Sequence, residues 1–221
     1  MSGMRIGVLG TGTVGQTLGS KLLTVGHEVM LGSRNVDGQA AVGWDEAAGP
    51  HGSRGTFAQA AAFGELVVLA VPGTAALEAL ALVGPEPLAG KVLIDVTNPL
   101  VFAPDGQVTL DPVNTDSVGE RVQRAYPAAR VVKSLNTMAA PVMVTPSRVP
   151  GHHAVFVAGD DPSAKRETAQ LLLTFGWPAD SITDLGGIGA ARGLEMLMPF
   201  WISMMRHLGH TDFNYSFPAA A

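Results

Sequence analysis

With 221 residues, 47% of them hydrophobic and 15% charged, the chain is long and apolar enough to bury one large core, which excludes an intrinsically disordered protein. The formal charge is -5, from 14 Lys plus Arg against 19 Asp plus Glu, and no basic run stands out to neutralise a nucleic-acid backbone. Zero cysteine excludes disulfides, thiolate metal sites and a cysteine nucleophile.

From the N-terminus, MSGMRIGVLGTG carries one arginine and a short apolar run broken by glycines, unlike an export signal, so a cytoplasmic location is expected. The first expected strand is RIGVLG (5–10). Val14, Leu18, Leu22 and Val25 then recur at helical spacing, with Gly26 at the stop. Further strands are expected at EVMLGS (28–33), weakly at GSRGTF near residue 55, and at LVVLAVP (66–72), KVLIDVTN (91–98), RVVKSLN (130–136) and HAVFVAGD (153–160). Most are apolar on both faces, as parallel strands covered by helices must be. Residues 99–116, rich in Pro, Asp, Gly and Thr, read as the longest loop.

SVGE (117–120) has capping-box spacing ahead of a helix, and Asp161 with Pro162 opens another that Gly176 closes. LEMLMPFWISMM (194–205) is too short to cross a bilayer and reads as a buried or dimer-facing helix, with no membrane partner. Its Met196, Met198, Met204 and Met205, around Phe200 and Trp201, suit a core, a lid over a planar ligand or a dimer seam. Glu195, the one acidic residue inside this segment, suits orienting a substrate group and, equally, pairing with Arg192 at helical spacing. The expected fold is α/β, a Rossmann-type doubly wound and mostly parallel sheet over residues 1–188, with a C-terminal helical segment at 189–221 for the substrate pocket or a dimer contact.

At the first strand-to-helix junction stands GTGTVG, with Gly10, Gly12 and Gly15 in G-x-G-x-x-G spacing. In that context the glycines permit a tight turn, close approach of backbone to a pyrophosphate, and helix packing, while the helix N-terminus offers free N–H groups. Specificity is read about 20 residues on, at the tip of the second strand, where an acidic residue accepts bonds from the ribose hydroxyls of NAD. This chain has Ser33, Arg34 and Asn35 there instead. A hydroxyl and a guanidinium suit a 2′-phosphate, so NADP is the expected cofactor. The other strand ends to inspect are Val71-Pro72-Gly73, Thr97-Asn98-Pro99 and Asn136-Thr137-Met138. Asn98 and Asn136 would position ribose or carboxamide, and Met138, Ala139 and Ala140 would wall a nicotinamide ring.

At these residues the chain resembles the NADPH:deazaflavin (coenzyme F420) oxidoreductases, and the related cytoplasmic reductase domain of the STEAP-type metalloreductases. The resemblance rests on the glycine loop, GSRN, DVTNPL, VVKSLNTM, VAGDD and LGGIGAARGLEMLMPFWISMM, in order from about residue 5 to about residue 215. It implies pyrophosphate contacts at Thr11, Gly12, Thr13 and Val14, a 2′-phosphate at Ser33 and Arg34, cofactor beside Val71 and Pro72, and nicotinamide near Ala139. It also implies a homodimer and direct hydride exchange between NADPH and a deazaflavin. Where some members carry His-Thr-Ile-Pro, this chain has Asn136-Thr137-Met138-Ala139, the side of the pocket expected to meet the second substrate together with Glu195.

Hydride transfer between two heterocycles needs neither a protein nucleophile nor a metal. No catalytic side chain is therefore expected. The six histidines, His152, His153, His207 and His210 among them, do not group as metal ligands. Other acceptors stay open: a flavin, a ferric chelate, or a small carbonyl or imine. A carbonyl would want a proton donor, and the one obvious lysine, Lys133, lies inside a strand. A sensor that binds NADPH without turning it over is the non-enzymatic alternative.

Overall fold

The computed structural model describes residues 3–218 and, of Ala41, the backbone alone. In chain order the elements are β1 (Arg5–Leu9), α1 (Thr13–Thr24), β2 (Glu28–Ser33), α2 (Gln39–Ala48), β3 (Gly52–Thr56), α3 (Phe57–Phe63), β4 (Leu66–Leu69), α4 (Ala76–Ala81) and β5 (Val92–Asp95). A small hairpin follows, β6 (Leu100–Phe102) and β7 (Val108–Leu110). Then come α5 (Val118–Ala125), β8 (Arg130–Ser134), α6 (Ala140–Val144), β9 (Val155–Ala158), α7 (Pro162–Phe175), β10 (Ile182–Asp184), α8 (Ala191–Met196) and α9 (Met198–Leu208).

Eight strands form one sheet in the order β10-β9-β8-β5-β4-β1-β2-β3. Every neighbouring pair is parallel except β8 and β9. The chain runs outward from β1 through β2 to β3, then returns to lay β4 on the other side of β1, so strand order reverses between β1 and β4. In an open α/β sheet a ligand crevice opens outside the carboxyl ends of the strands at such a point.

Side-chain alternation along each strand divides the core into two layers. Ile6, Val8, Leu66, Val68, Val92, Ile94 and Val132 point to one face, with Leu18 and Leu22 of α1 and Leu171, Leu172 and Phe175 of α7. Leu9, Val67, Leu69, Leu93 and Val131 point to the other, against Phe57, Ala60 and Ala61 of α3, Ala76, Ala79 and Leu80 of α4, and Val118 and Val122 of α5. The long helices close as their sequence reads. The Asp161 side chain accepts from the Ser163 and Ala164 N–H groups at the start of α7, and Gly176 ends it in the left-handed conformation at φ 100°.

The structure departs from the sequence reading in four places. The segment 99–116 holds the antiparallel pair β6–β7 and is not a plain loop. A short edge strand, β10, pairs with β9 beyond the expected set, and β9 itself runs against β8. The strand runs ending at 98 and 136 stop earlier because their last residues turn aside; Leu135 sits at φ 62°, a conformation non-glycine residues rarely adopt. At Ser117 the expected capping box is half formed: its side chain caps Glu120 N–H, while the Glu120 carboxylate bonds the Ser117 hydroxyl.

Beyond residue 188 the chain forms α8 and α9 and then turns back along β9, where Ala154 N–H donates to Tyr215 O and Asn214 Nδ2 donates to Ala154 O. Phe156, Phe217, Tyr215 and Phe200 line up in a column of ring contacts. Of the segment 189–221, residues 219–221 lie outside the described residues. No described helix is long and apolar enough to cross a membrane.

Candidate functional site

The carboxyl ends of β2, β1, β4, β5 and β8 form one continuous row, stitched by backbone and side-chain bonds. Gly10 N–H donates to Gly32 O at 3.0 Å, Ala70 N–H to Leu9 O at 2.8 Å, Val96 N–H to Leu69 O at 3.2 Å and Gly73 N–H to Asn98 O at 3.0 Å. Asn98 and Asn136 then hold each other: Asn98 Nδ2 donates to Asn136 O at 2.7 Å, and Asn136 Nδ2 donates to Asn98 Oδ1 at 2.9 Å. Asn136 Nδ2 also reaches Leu194 O in α8 at 3.1 Å. Two buried oxygens at these tips, Thr97 Oγ1 and Asn136 Oδ1, have no hydrogen-bond partner among the described residues.

A cleft of about 320 Å³ opens over the β1–β4 switch point and holds Gly10, Thr11, Gly12, Ser33, Arg34 and Asn35 on one side, with Val71 and Pro72 opposite. The three glycines differ in what a side chain would meet. At Gly10, φ is +132° and an added Cβ would lie 2.4 Å from Ala70 O; at Gly15 it would lie 2.1 Å from Gly10 O. These two let strand, helix and neighbouring strand approach. At Gly12 an added Cβ would meet nothing within 4 Å, so the space above it is open.

Gly12 is also the N-cap of α1. No side chain among the described residues caps that end, and the intrahelical ladder begins with Gln16 N–H on Gly12 O. The first N–H groups of a 12-residue helix therefore face the cleft with the positive end of its dipole. Gln16 Nε2 donates to Thr11 O at 2.9 Å and steadies the loop.

Ser33 and Arg34 divide the work at the tip of β2. The Ser33 hydroxyl donates to Asn35 O at 3.0 Å and accepts from Asn35 N–H at 3.1 Å, so it shapes the turn. Arg34 is left with its guanidinium in the cleft, 3.6 Å from a Glu78 carboxylate oxygen across the opening.

Below the tips of β5 and β8 lies a cluster of buried charge. Asp95 and Lys133 are register partners on adjacent strands, and alternation sends both to the α5 side of the sheet. Lys133 Nζ contacts Asp95 Oδ2 at 3.1 Å, Glu195 Oε1 at 2.8 Å and Thr97 O at 2.6 Å, with Lys133 and Asp95 fully buried. Glu195 also accepts from Val118 N–H at 2.9 Å and Gly119 N–H at 3.2 Å, the first residues of α5. Burial pushes the Glu195 carboxyl above its ordinary range against the pull of Lys133. Glu195 is thus not paired with Arg192 as helical spacing suggested, because its side chain points inward from α8. Arg192 instead forms a two-pronged pair with Glu120 of α5, at 2.6 and 2.7 Å. That guanidinium holds the Glu120 carboxyl below its ordinary range, with help from the Ser117 hydroxyl.

Of the residues singled out from sequence, Thr13 and Val14 open α1 beside the loop, and Asn98, Pro99 and Asn136 continue the same row of strand ends. Met138 departs from expectation. It is packed into the hydrophobic core, as are Val142 and Met143 after it, because the turn at Leu135 redirects the chain inward. Thr137 is buried as well, and Ala139 alone of this group is partly exposed. Sequence reading missed Phe57, Ala75, Glu78 and Ala79, which complete the wall of the cleft. Ala75, Glu78 and Ala79 share helical spacing just after the Val71-Pro72 tip, and that signal was available. Among the described residues no group of three or more His, Asp or Glu side chains is placed to hold a metal ion.

Residues 5–99 match the family model described as NADP oxidoreductase, coenzyme F420-dependent. The F420-dependent NADP reductase of Methanothermobacter marburgensis is 30% identical over 214 residues, covering 91% of this chain and 92% of that protein. The rat (Rattus norvegicus) metalloreductase STEAP3 is 27% identical over 201 residues, and the match covers 89% of this chain but 38% of STEAP3. A crystal structure of a candidate F420-dependent NADP reductase from Arthrobacter sp. FB24 is 46% identical, covers 98% of this chain and 100% of that one, and superimposes with a TM-score of 0.92. The fold, the glycine loop and this similarity over nearly the whole length agree, and the chain belongs to the family of F420-dependent NADP reductases, as an NADP-dependent oxidoreductase.

Proposed function

We propose that the chain transfers a hydride between NADPH and a deazaflavin coenzyme of the F420 type, with NADP held along the row of strand ends. The observation that carries this reading is the open space above Gly12, between an uncapped helix N-terminus and the Arg34 guanidinium in one cleft. A pyrophosphate fits there on the N–H groups of Thr13 and Val14, with Thr11 and Gly12 beneath it. Arg34 meets a 2′-phosphate, Ser33 and Asn35 hold the turn that presents it, and adenine lies against Val71, Pro72 and the wall of α4. The nicotinamide extends toward Pro99 and the partly exposed Asn98 and Ala139.

The second substrate docks on the side built by Asn136, Thr137 and α8, with Met138 and Glu195 supporting from within. The division into a nucleotide-binding part, 1–188, and a C-terminal segment from 189 belongs to the same reading. So does a cytoplasmic homodimer, in which exposed Met196 and Phe200 contribute to the seam. The cofactors carry the electrons, and the protein supplies proximity, orientation and exclusion of water. The test is spectroscopic: protein, NADPH and the deazaflavin are mixed without oxygen, and both absorption bands are followed. Loss of one NADPH per deazaflavin reduced supports the proposal. NADPH oxidation with free flavin or a ferric chelate, and none with the deazaflavin, would reassign the acceptor, and tight NADPH binding with no oxidation would make the protein a sensor.

A further inference from the structure

Among the described residues that line the cleft, Arg34 is the one base and Glu78 the one acid, and they face each other at 3.6 Å. Their side chains are 67% and 69% exposed, so the pair contributes little to folding. Its position is what matters, because a ligand phosphate bound by Arg34 must take the guanidinium from a carboxylate that stays in the same cleft. A phosphate dianion beside Glu78 then meets like charge. The ribose hydroxyls of a cofactor without the phosphate are instead donors, and a carboxylate accepts from them. We infer that Glu78 is a specificity-determining residue: it competes with the 2′-phosphate for Arg34 and thereby limits the preference for NADP over NAD. This rests on the proposed placement of the 2′-phosphate at Arg34.

The consequence has a definite sign. Replacing Glu78 by Gln frees Arg34 in the empty protein and removes the repulsion in the complex, so it tightens phosphorylated ligands, and because the amide oxygen still accepts from a ribose hydroxyl it leaves unphosphorylated ones nearly unchanged. The fold is not at risk, since Glu78 projects outward from α4.

The experiment titrates wild type, Glu78→Gln, Arg34→Ala and the double variant with NADPH, NADH and adenosine 2′,5′-bisphosphate, at low and high ionic strength. Glu78→Gln is expected to tighten NADPH and the bisphosphate about three- to five-fold at low salt and to change NADH by less than about two-fold, with the gain shrinking at high salt. In the Arg34→Ala background the same change is expected to give a smaller selective gain, from the lost repulsion alone. Unchanged or weaker NADPH binding by Glu78→Gln, while Arg34→Ala still abolishes the NADPH preference, would overturn the role of Glu78 and leave the phosphate site intact. A wild-type protein that does not distinguish NADPH from NADH, and an Arg34→Ala variant that behaves like it, would overturn both.

Discussion

A methyl group at Gly12 would touch nothing, whereas one at Gly10 or Gly15 would collide with backbone. Gly12→Ala therefore separates ligand space from folding. Its thermal midpoint should match the parent's, while NADPH affinity falls about ten-fold or more, because the methyl occupies the room a pyrophosphate needs. Equal affinity, measured by fluorescence titration, would mean that the ligand lies elsewhere. At Arg34 the charge decides. Arg34→Glu should weaken NADPH about 10- to 100-fold relative to NADH, the size of one charge-assisted bond replaced by repulsion. These positions are legible in sequence because a strand tip and the first turn of a helix are fixed by local periodicity. Helical spacing marks Glu78 as a cleft-side residue, but its approach to Arg34 depends on β4 returning beside β1, which no local pattern encodes.

At the scale of elements, buried charge joins β5, β8, α5 and α8. Lys133→Met would leave the carboxylates of Asp95 and Glu195 facing each other without their shared cation. A loss of about 3–5 kcal/mol in urea unfolding is expected, and most of it should return when Asp95→Asn and Glu195→Gln are added. A small effect of Lys133→Met alone would show that these contacts do not hold the four elements together. The Arg192–Glu120 pair makes a pH prediction. Glu120 is held below its ordinary value of 4.5 in the folded chain, so its contribution is present above about pH 4.5 and is lost as pH falls further. Glu120→Gln should be less stable at neutral pH and should lose less stability than the parent on acidification; parallel pH curves would exclude the pair as the cause. Lys133 could be read from sequence as a lysine inside a strand, but its partners could not. Register between β5 and β8 pairs it with Asp95, and the inward face of α8 brings Glu195, so Arg192 at helical spacing was the wrong partner.

For the whole molecule, alternation of apolar runs with helical stretches was enough to read the parallel sheet and to locate the crevice beside the glycine loop. The far edge was not readable in the same way. Between β8 and β9 the five-residue α6 and a one-turn helix lie in a connection as long as those that return parallel strands elsewhere in the sheet, so nothing in its length announces that β9 runs against β8. Residues Ile182–Asp184 are too few and too exposed to announce a strand before β9 is there to pair with. The same holds for the hairpin in 99–116, whose strands are three residues each. NADP is proposed to lie along the strand ends with its pyrophosphate over Gly12 and its 2′-phosphate on Arg34. A crystal structure of the chain with NADP bound tests it most directly. Phosphate oxygens are expected within hydrogen-bond reach of the Thr13 and Val14 N–H groups and of the Arg34 guanidinium; a cofactor bound elsewhere, or an Arg34 side chain turned to solvent beside an ordered 2′-phosphate, would overturn this placement.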